Sequence, residues 1–176
     1  MSYDFSVSAT AVYQEKYIQF LLQNYEDLNQ PYPFPVTLSY ISSPLLMEGK
    51  AILCKNEDGE TVGAMGYIHG TGEQDYEDTE VIQLQIVFLH QTRRGSRLLL
   101  RAAQFLAQHW DQVQQPPSEI RFWIPNDPSL LRLCSRFANR FTENASLTEF
   151  RVSFTSFKAF VLQYNHENYY AEAGGR

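Results

Sequence analysis

The sequence predicts an α/β fold, because strand-like and helix-like patterns alternate along its 176 residues. Residues 81–89 (VIQLQIVFL) contain no charged residue, which is typical of a strand that is buried on both faces. Residues 97–113 place apolar side chains at helical spacing and predict an amphipathic helix. The Asn-Glu-Asp-Gly sequence at 56–59 separates the apolar runs 51–54 and 61–69, which predicts a β-hairpin.

The segments before the hairpin predict one further strand and one further helix. Residues 3–8 alternate and predict a short strand, and residues 10–28 carry apolar side chains at helical spacing. Three prolines end that helix: Pro31, Pro33 and Pro35. Residues 36–50 fit a short helix or an irregular arm equally well, so their structure stays open.

The C-terminal half predicts a strand, a helix and two closing strands. Residues 119–124 form the first strand, and Asp127 followed by Pro128 is typical of a helix start. The predicted helix buries one face, made of Leu130, Leu133, Cys134, Phe137, Ala138 and Phe141. Residues 148–155 and 157–162 are predicted as strands. Because no long linker divides the chain, we expect a single domain at 1–165 and a flexible tail at 166–176.

Charge is unevenly placed in this acidic chain, whose net charge is −6. Every arginine lies at position 93 or later, and the cations before that position are Lys16, Lys50 and Lys55. The acidic balance argues against nucleic-acid binding, and the arginine cluster favours a compact anionic ligand. Arg132, Arg136 and Arg140 follow an i, i+4, i+8 pattern that predicts a solvated helix face or, alternatively, phosphate contacts.

Other sequence features limit the location and the cofactors. No apolar run is long enough to span a membrane and the N-terminus lacks a basic signal-peptide region, so we expect a cytoplasmic protein. The four histidines show no metal-ligand spacing, and we expect no metal. Cys54 and Cys134 are expected to be reduced thiols.

The region from Val87 to Phe141 contains a strand, a turn and a helix in an order that resembles the GNAT superfamily of N-acyltransferases. Its signature is a buried strand followed by R/Q-x-x-G-x-G/A at the start of a helix. Arg94 stands at the first motif position and Gly95-Ser96 resembles the Arg-Gly-Ser start of some members, whereas Arg97 and Leu99 replace the motif glycines. The resemblance implies a twisted mixed β-sheet flanked by helices and an acyl transfer from acyl-CoA, such as acetyl-CoA, to a primary amine.

The resemblance also implies a coenzyme A site. The backbone of Phe88 and Leu89 would pair with the pantetheine arm. Pyrophosphate would lie at the helix N-terminus, where free N–H groups and the helix dipole favour an anion. The residues implied there are Arg93, Arg94, Gly95, Ser96 and Arg97, with Asn126 at the end of the next strand.

The resemblance suggests one catalytic residue, and the central strand itself suggests three further candidates for catalysis and substrate binding. Cys134 occupies the position of the tyrosine that often protonates the departing thiolate in the family, although a buried structural thiol is the alternative. Glu80 could act as a general base through a water, or be a plain exposed carboxylate. Gln83 and Gln85 are predicted on one side of their strand, where they line an acceptor pocket or bond to the protein itself.

Two functions from different classes therefore remain open. The first is an N-acyltransferase, most simply an N-acetyltransferase, that acts on a small-molecule or peptide amine. The second is a catalytically degenerate binding or regulatory protein, which the replaced glycines and the missing tyrosine favour. Neither function involves a membrane or a nucleic acid. The aromatic residues near 150–162 suggest a homodimer edge.

Overall fold

A computed structural model describes residues 2–90 and 95–173, with side chains described to residue 164 except at 95 and 96. The chain divides into two compact units, Met1–Leu99 and Leu100–Arg176. The part of the chain that the model describes includes no helix long and apolar enough to cross a membrane.

The first unit contains four strands: β1 (Asp4–Val7), β2 (Gly49–Lys55), β3 (Thr61–His69) and β4 (Val81–Leu89). They pair antiparallel in the order β1-β2-β3-β4. The hairpin predicted between β2 and β3 is confirmed, with a positive φ of 77° at Gly59 that glycine adopts without strain. The long strand predicted at 81–89 is confirmed as β4.

Two helices cover this sheet, α1 (Ala11–Gln23) and α2 (Phe34–Leu46). A 3₁₀ turn at Tyr25–Leu28 follows α1, so the helix predicted over 10–28 is shorter than expected. Helix α2 occupies the segment whose structure the sequence left open. Pro35 in its first turn is compatible with a helix, whereas Pro44 inside it obscures the pattern.

The helices and sheet share a core because aromatic and aliphatic side chains meet between them. Tyr17, Leu21 and Ile41 are fully buried with Leu53 and Ile86. The hydroxyl of Tyr17 donates a hydrogen bond of 2.9 Å to the carbonyl oxygen of Ile41. This bond joins α1 to α2 and satisfies a polar group that burial would otherwise penalise.

Helix α3 (Gly95–Asp111) begins in the first unit and continues into the second. The second unit also contains β5 (Glu119–Pro125), α4 (Pro128–Ser135), β6 (Asn139–Glu143), β7 (Leu147–Ser153) and α5 (Phe154–Ala173). Strand β7 pairs antiparallel with both β5 and β6. The carboxylate of Asp127 accepts a hydrogen bond of 3.0 Å from the N–H of Leu130, which confirms the predicted helix cap.

Two predictions for the second unit are wrong. The helix expected to reach Phe141 ends at Ser135, and Phe141 is an exposed residue of β6. The expected strand at 157–162 is part of α5, which extends to Ala173. Its aromatic and β-branched residues favour a strand by propensity, but the burial of Phe154, Phe157 and Val161 follows helical spacing.

Candidate functional site

Strand β4 carries four of the predicted site residues, Gln83, Gln85, Phe88 and Leu89, and is irregular at its centre. Gly66 pairs with Ile86 and Tyr67 pairs with Leu84, so Gln85 has no partner on β3. This register shift is a β-bulge, a feature that is over-represented next to active sites because it redirects backbone groups. It also interrupts the strict alternation on which the shared side of Gln83 and Gln85 was predicted. No residue type in VIQLQIVFL signals the bulge.

Gln83 bonds to the protein itself. Its side-chain amide donates a hydrogen bond of 2.7 Å to the carbonyl oxygen of Gly70. Gly70 has a φ of 86°, and a Cβ there would lie 2.7 Å from the backbone of Tyr76. The glutamine therefore fixes the start of the acidic loop before β4, which supports the structural alternative for this residue. Gln85 is half-buried.

The acidic loop is ordered by one of its own carboxylates. Asp78 accepts hydrogen bonds of 2.7 Å from both the N–H and the hydroxyl of Thr71. Glu80 is exposed and stands immediately before β4, at the opposite end of the strand from the segment that precedes α3. Its side chain is exposed to solvent, which the predicted role of general base through a water would require.

The C-terminal end of β4 is packed on both faces. Phe88 is buried, with its ring centroid 5.8 Å from that of Phe20 and 5.2 Å from that of His90. Leu89 packs on the opposite face, where a Cβ on Gly63 would lie 2.6 Å from its side chain. Because both side chains belong to the core, any ligand contact from Phe88 and Leu89 would have to come from their backbone.

A polar cavity of about 480 Å³ opens beside His90. Helix α1 and the β2–β3 hairpin supply its other residues, which are Lys16, Gln19, Phe20, Gln23, Asn24, Lys55, Gly59 and Thr61. These lining residues include two of the three cations that precede Arg93 in the sequence, and they include no carboxylate. Sequence reasoning did not find this cavity, because its residues come from three separate segments.

The predicted anion-binding turn lies partly outside the described residues. Arg93 and Arg94 belong to the undescribed segment, and for Gly95 and Ser96 only the backbone is described, as the first residues of α3. Arg97 and Leu99 are exposed, whereas Leu98 between them is fully buried. The two side chains that replace the motif glycines therefore face solvent on the first turn of this helix.

Asn126 and Cys134 belong to the second unit. The Asn126 amide donates a hydrogen bond of 2.8 Å to the carbonyl oxygen of Asn144. Its side-chain oxygen accepts one of 2.6 Å from the hydroxyl of Thr148. Both ends of this amide thus fix the β6–β7 turn against the end of β5.

Both cysteines are buried and free. Burial raises the pKa of the Cys134 thiol to about 11, so at neutral pH this group can donate a proton but is not a thiolate. Burial and the nearby Asp4 carboxylate raise the pKa of Cys54 to about 12. Within residues 2–90 and 95–173, no group of histidine, cysteine or acidic side chains is placed to hold a metal ion.

Comparison with known proteins identifies the fold. No protein-family model and no curated protein matches the sequence, but many solved structures match the backbone. A GNAT-family acetyltransferase from Staphylococcus aureus matches over 87% of this chain and 99% of its own, with a TM-score of 0.56 and 14% identity. Aminoglycoside 6'-acetyltransferase type Ii matches over 88% of this chain and 97% of its own, with a TM-score of 0.58 and 14% identity.

A third similar structure contains a bound ligand. The PaiA N-acetyltransferase from Thermoplasma acidophilum, solved in complex with coenzyme A, matches over 87% of this chain and 99% of its own, with a TM-score of 0.53 and 12% identity. The α/β fold class with a mixed sheet and flanking helices, predicted from the sequence, is confirmed by these matches. The chain has the fold of the GNAT superfamily of N-acetyltransferases.

Proposed function

We propose that this protein is an N-acetyltransferase that moves the acetyl group of acetyl-CoA to a primary amine. The observation that carries the proposal is the bulge at Gln85 in β4, on a strand that leads directly to the N-terminus of α3. The bulge takes Gln85 out of the β3 ladder and redirects the backbone groups beside it, as bulges near active sites do. The shared fold with a coenzyme A complex supports the same proposal.

The donor would bind along β4 and the start of α3. Backbone groups of Phe88 and Leu89 would pair with the pantetheine arm, since their side chains are committed to the core. Pyrophosphate would lie at the first turn of α3, which begins at Gly95. The side chains that would assist it are Arg93, Arg94, Ser96 and Arg97. Asn126 would position the end of β5 through its two hydrogen bonds.

The reaction would be direct attack of the amine nitrogen on the thioester carbon. A backbone N–H at the bulge, at Gln85 or Ile86, would donate to the carbonyl oxygen as negative charge develops on it. The C–N bond would form, the C–S bond would break, and the departing thiolate would take a proton from solvent, because burial makes the Cys134 thiol a weaker acid than an ordinary thiol. Glu80 would take the proton that the amine nitrogen loses, through water. Most of the rate acceleration would come from orientation.

A cationic amine is the acceptor that the electrostatics of the first unit favour. The loop before β4 holds five carboxylates within eight residues, Glu73, Asp75, Glu77, Asp78 and Glu80. Such a loop attracts cations by long-range electrostatics. Proteins of the same fold include a spermidine N-acetyltransferase from Vibrio cholerae and an aminoglycoside acetyltransferase, both named for amine substrates.

The proposal is tested by acetyl-CoA binding and by thiol release. We expect millimolar acetyl-CoA to raise the melting temperature, and a panel of polyamines, aminoglycosides and peptides to include an amine that releases free thiol. Arg94→Gln should reduce the temperature shift, whereas Lys50→Gln, which removes an exposed charge elsewhere, should not. The absence of both the shift and amine-dependent thiol release would reject the proposal.

A binding protein without catalysis is the second candidate. Cys134 is a weak proton donor, and Arg97 and Leu99 replace the glycines of the family motif. On this hypothesis coenzyme A still stabilises the protein, but no amine in the panel releases thiol. The same two measurements therefore separate the two candidates.

A further inference from the structure

Three arginines of the second unit surround one cavity of about 500 Å³. Its lining residues are Pro128, Leu131, Arg132, Ser135, Arg136 and Arg140. The sequence placed the arginines in a row along one predicted helix. The structure instead ends α4 at Ser135 and turns the chain into β6, so Arg140 approaches Arg132 and Arg136 from a strand.

Two of these guanidinium groups are held by neutral partners. Arg140 donates from Nε to the hydroxyl of Ser135 at 3.1 Å. The guanidinium carbon of Arg136 lies 5.6 Å from the centroid of the Phe160 ring. That ring stacks on the ring of Phe137, with 4.7 Å between the two centroids. These contacts fix the orientation of the side chains without neutralising their charge.

The described residues provide no acidic partner for this cluster. In this unit the structure pairs Arg121 with Glu119, Arg151 with Glu149 and Lys158 with Asp111. No such pair involves the three cavity arginines within the described part of the chain, and no carboxylate is among the lining residues. Because like charges repel, three guanidinium groups around one cavity favour the entry of an anion.

We propose that this cavity binds a phosphoryl group of a small phosphorylated ligand, at a site separate from the acyl donor. Guanidinium groups bind phosphate oxygens in bidentate pairs, and three of them suit a multivalent oxoanion better than a single carboxylate. The cavity is within the size range of small-molecule sites. Its apolar wall of Pro128 and Leu131 would contact the non-polar body of the ligand.

The first test is calorimetric titration of the full chain with inorganic pyrophosphate at physiological salt. We expect saturable binding of one equivalent with coenzyme A both absent and present in excess. In the double variant Arg132→Gln/Arg140→Gln the dissociation constant should rise at least tenfold. Lys55→Gln, which removes a cation from the other cavity, should leave it unchanged, and circular dichroism should show both variants folded.

Further ligands distinguish the sources of the phosphoryl group. Nucleoside diphosphates and orthophosphate are titrated in parallel, and the compound with the lowest dissociation constant identifies the ligand class. A double variant that loses affinity for coenzyme A but keeps its affinity for 3'-dephospho-coenzyme A is one contrary result. That result would mean that the arginines contact the 3'-phosphate of the acyl donor, and it would overturn the separate site. Non-saturable binding, or equal affinity in the double variant and the parent, would also overturn it. Failure of coenzyme A to bind would reject the proposed enzyme but leave this test intact.

Discussion

The two cationic cavities of this protein are assembled in different ways. The cavity beside His90 takes its lysines from α1 and from the β2–β3 hairpin, far apart in the sequence. The cavity of the second unit takes all its arginines from residues 128–140. Both lysine ammonium groups lie near the ring of Tyr13, at 5.1 Å for Lys16 and 5.9 Å for Lys55.

This difference determines how each cavity responds to mutation. The lysine cavity depends on the packing of α1 against the sheet and α2. The arginine cavity depends on the turn between α4 and β6 and on α5, because Phe160 of α5 supports Arg136. Core substitutions in one unit should therefore affect one cavity and leave the other intact.

The largest effect is expected from Trp110→Ala in the second unit. Trp110 is 1% exposed, and its ring lies 6.5 Å from that of Phe154 and 6.0 Å from that of Phe157, at the start of α5. Truncation of such a buried aromatic residue typically lowers the free energy of unfolding by about 3–5 kcal/mol. Chemical denaturation measures the loss, and pyrophosphate titration should show weaker binding because α5 loses its anchor.

The matched control is Trp123→Ala. This tryptophan lies on β5 and is 41% exposed, so its truncation should cost clearly less than that of Trp110. Equal losses for the two tryptophans would contradict the packing of α5 described above.

The sequence predicted the elements that local patterns determine, and it failed where contacts between residues distant in the sequence determine the structure. Strand β4 and the β2–β3 hairpin were predictable because their patterns are local. Helix α5 was not, since the aromatic residues of 154–162 favour a strand by propensity and only packing against Trp110 selects the helix. One local signal was available: the hydroxyl of Ser153 accepts a hydrogen bond of 3.1 Å from the N–H of Ser156, as in a helix N-cap.

The candidate site was predictable to a similar extent. The sequence placed Phe88 and Leu89 on a strand and Gly95, Ser96 and Arg97 at the start of the next helix, and the structure has them on β4 and α3. It could not reveal the bulge at Gln85, because the register of a strand depends on its partner strand. It could not show that the side chains of Gln83 and Asn126 are used in hydrogen bonds within the protein, since those bonds join residues 13 to 22 positions apart.

The second prediction tests the link between α1 and α2. Tyr17→Phe removes the hydroxyl that donates to Ile41 and leaves a buried carbonyl without this donor. The expected loss in the free energy of unfolding is about 1–2 kcal/mol. Tyr13→Phe, at a 40% exposed position of the same helix, is the control and should cost little. Pyrophosphate binding at the arginine cavity should be unchanged in both variants, and a loss with Tyr17→Phe would break the independence of the two cavities.

The third prediction concerns alkaline pH. The usual pKa of a thiol here is 9.0, and folding raises the pKa of Cys134 to about 11. The unfolded chain therefore loses this proton at lower pH than the folded chain, so the contribution to stability is complete below pH 9 and is lost as pH rises toward 11. Cys54, with a pKa of about 12, adds a loss that extends to higher pH.

Denaturation midpoints between pH 8 and pH 11 measure this effect. Cys134→Ala should flatten the alkaline decline relative to the parent, whatever its stability at neutral pH. Iodoacetamide should alkylate both native thiols slowly at pH 7, because the thiolate is the nucleophile. Rapid alkylation of Cys134 at that pH would contradict the burial of its thiol.

The smallest effects are expected from single charges of the second unit. Replacing the paired Lys158 and replacing the cavity residue Arg132 should change the free energy of unfolding in opposite directions. Lys158 lies 2.8 Å from Asp111, and both side chains are well exposed, so Lys158→Gln should lower the free energy of unfolding by about 0–1 kcal/mol and less at high salt. Arg132→Gln removes one of three clustered like charges. It should leave stability unchanged or raise it by a few tenths of a kcal/mol at low salt. With saturating pyrophosphate the parent should be more stable than Arg132→Gln, since the parent then gains binding free energy that the variant lacks. If Arg132→Gln instead destabilises the ligand-free protein by as much as Lys158→Gln does, Arg132 has a compensating partner and the cavity attracts an anion with one charge fewer than proposed.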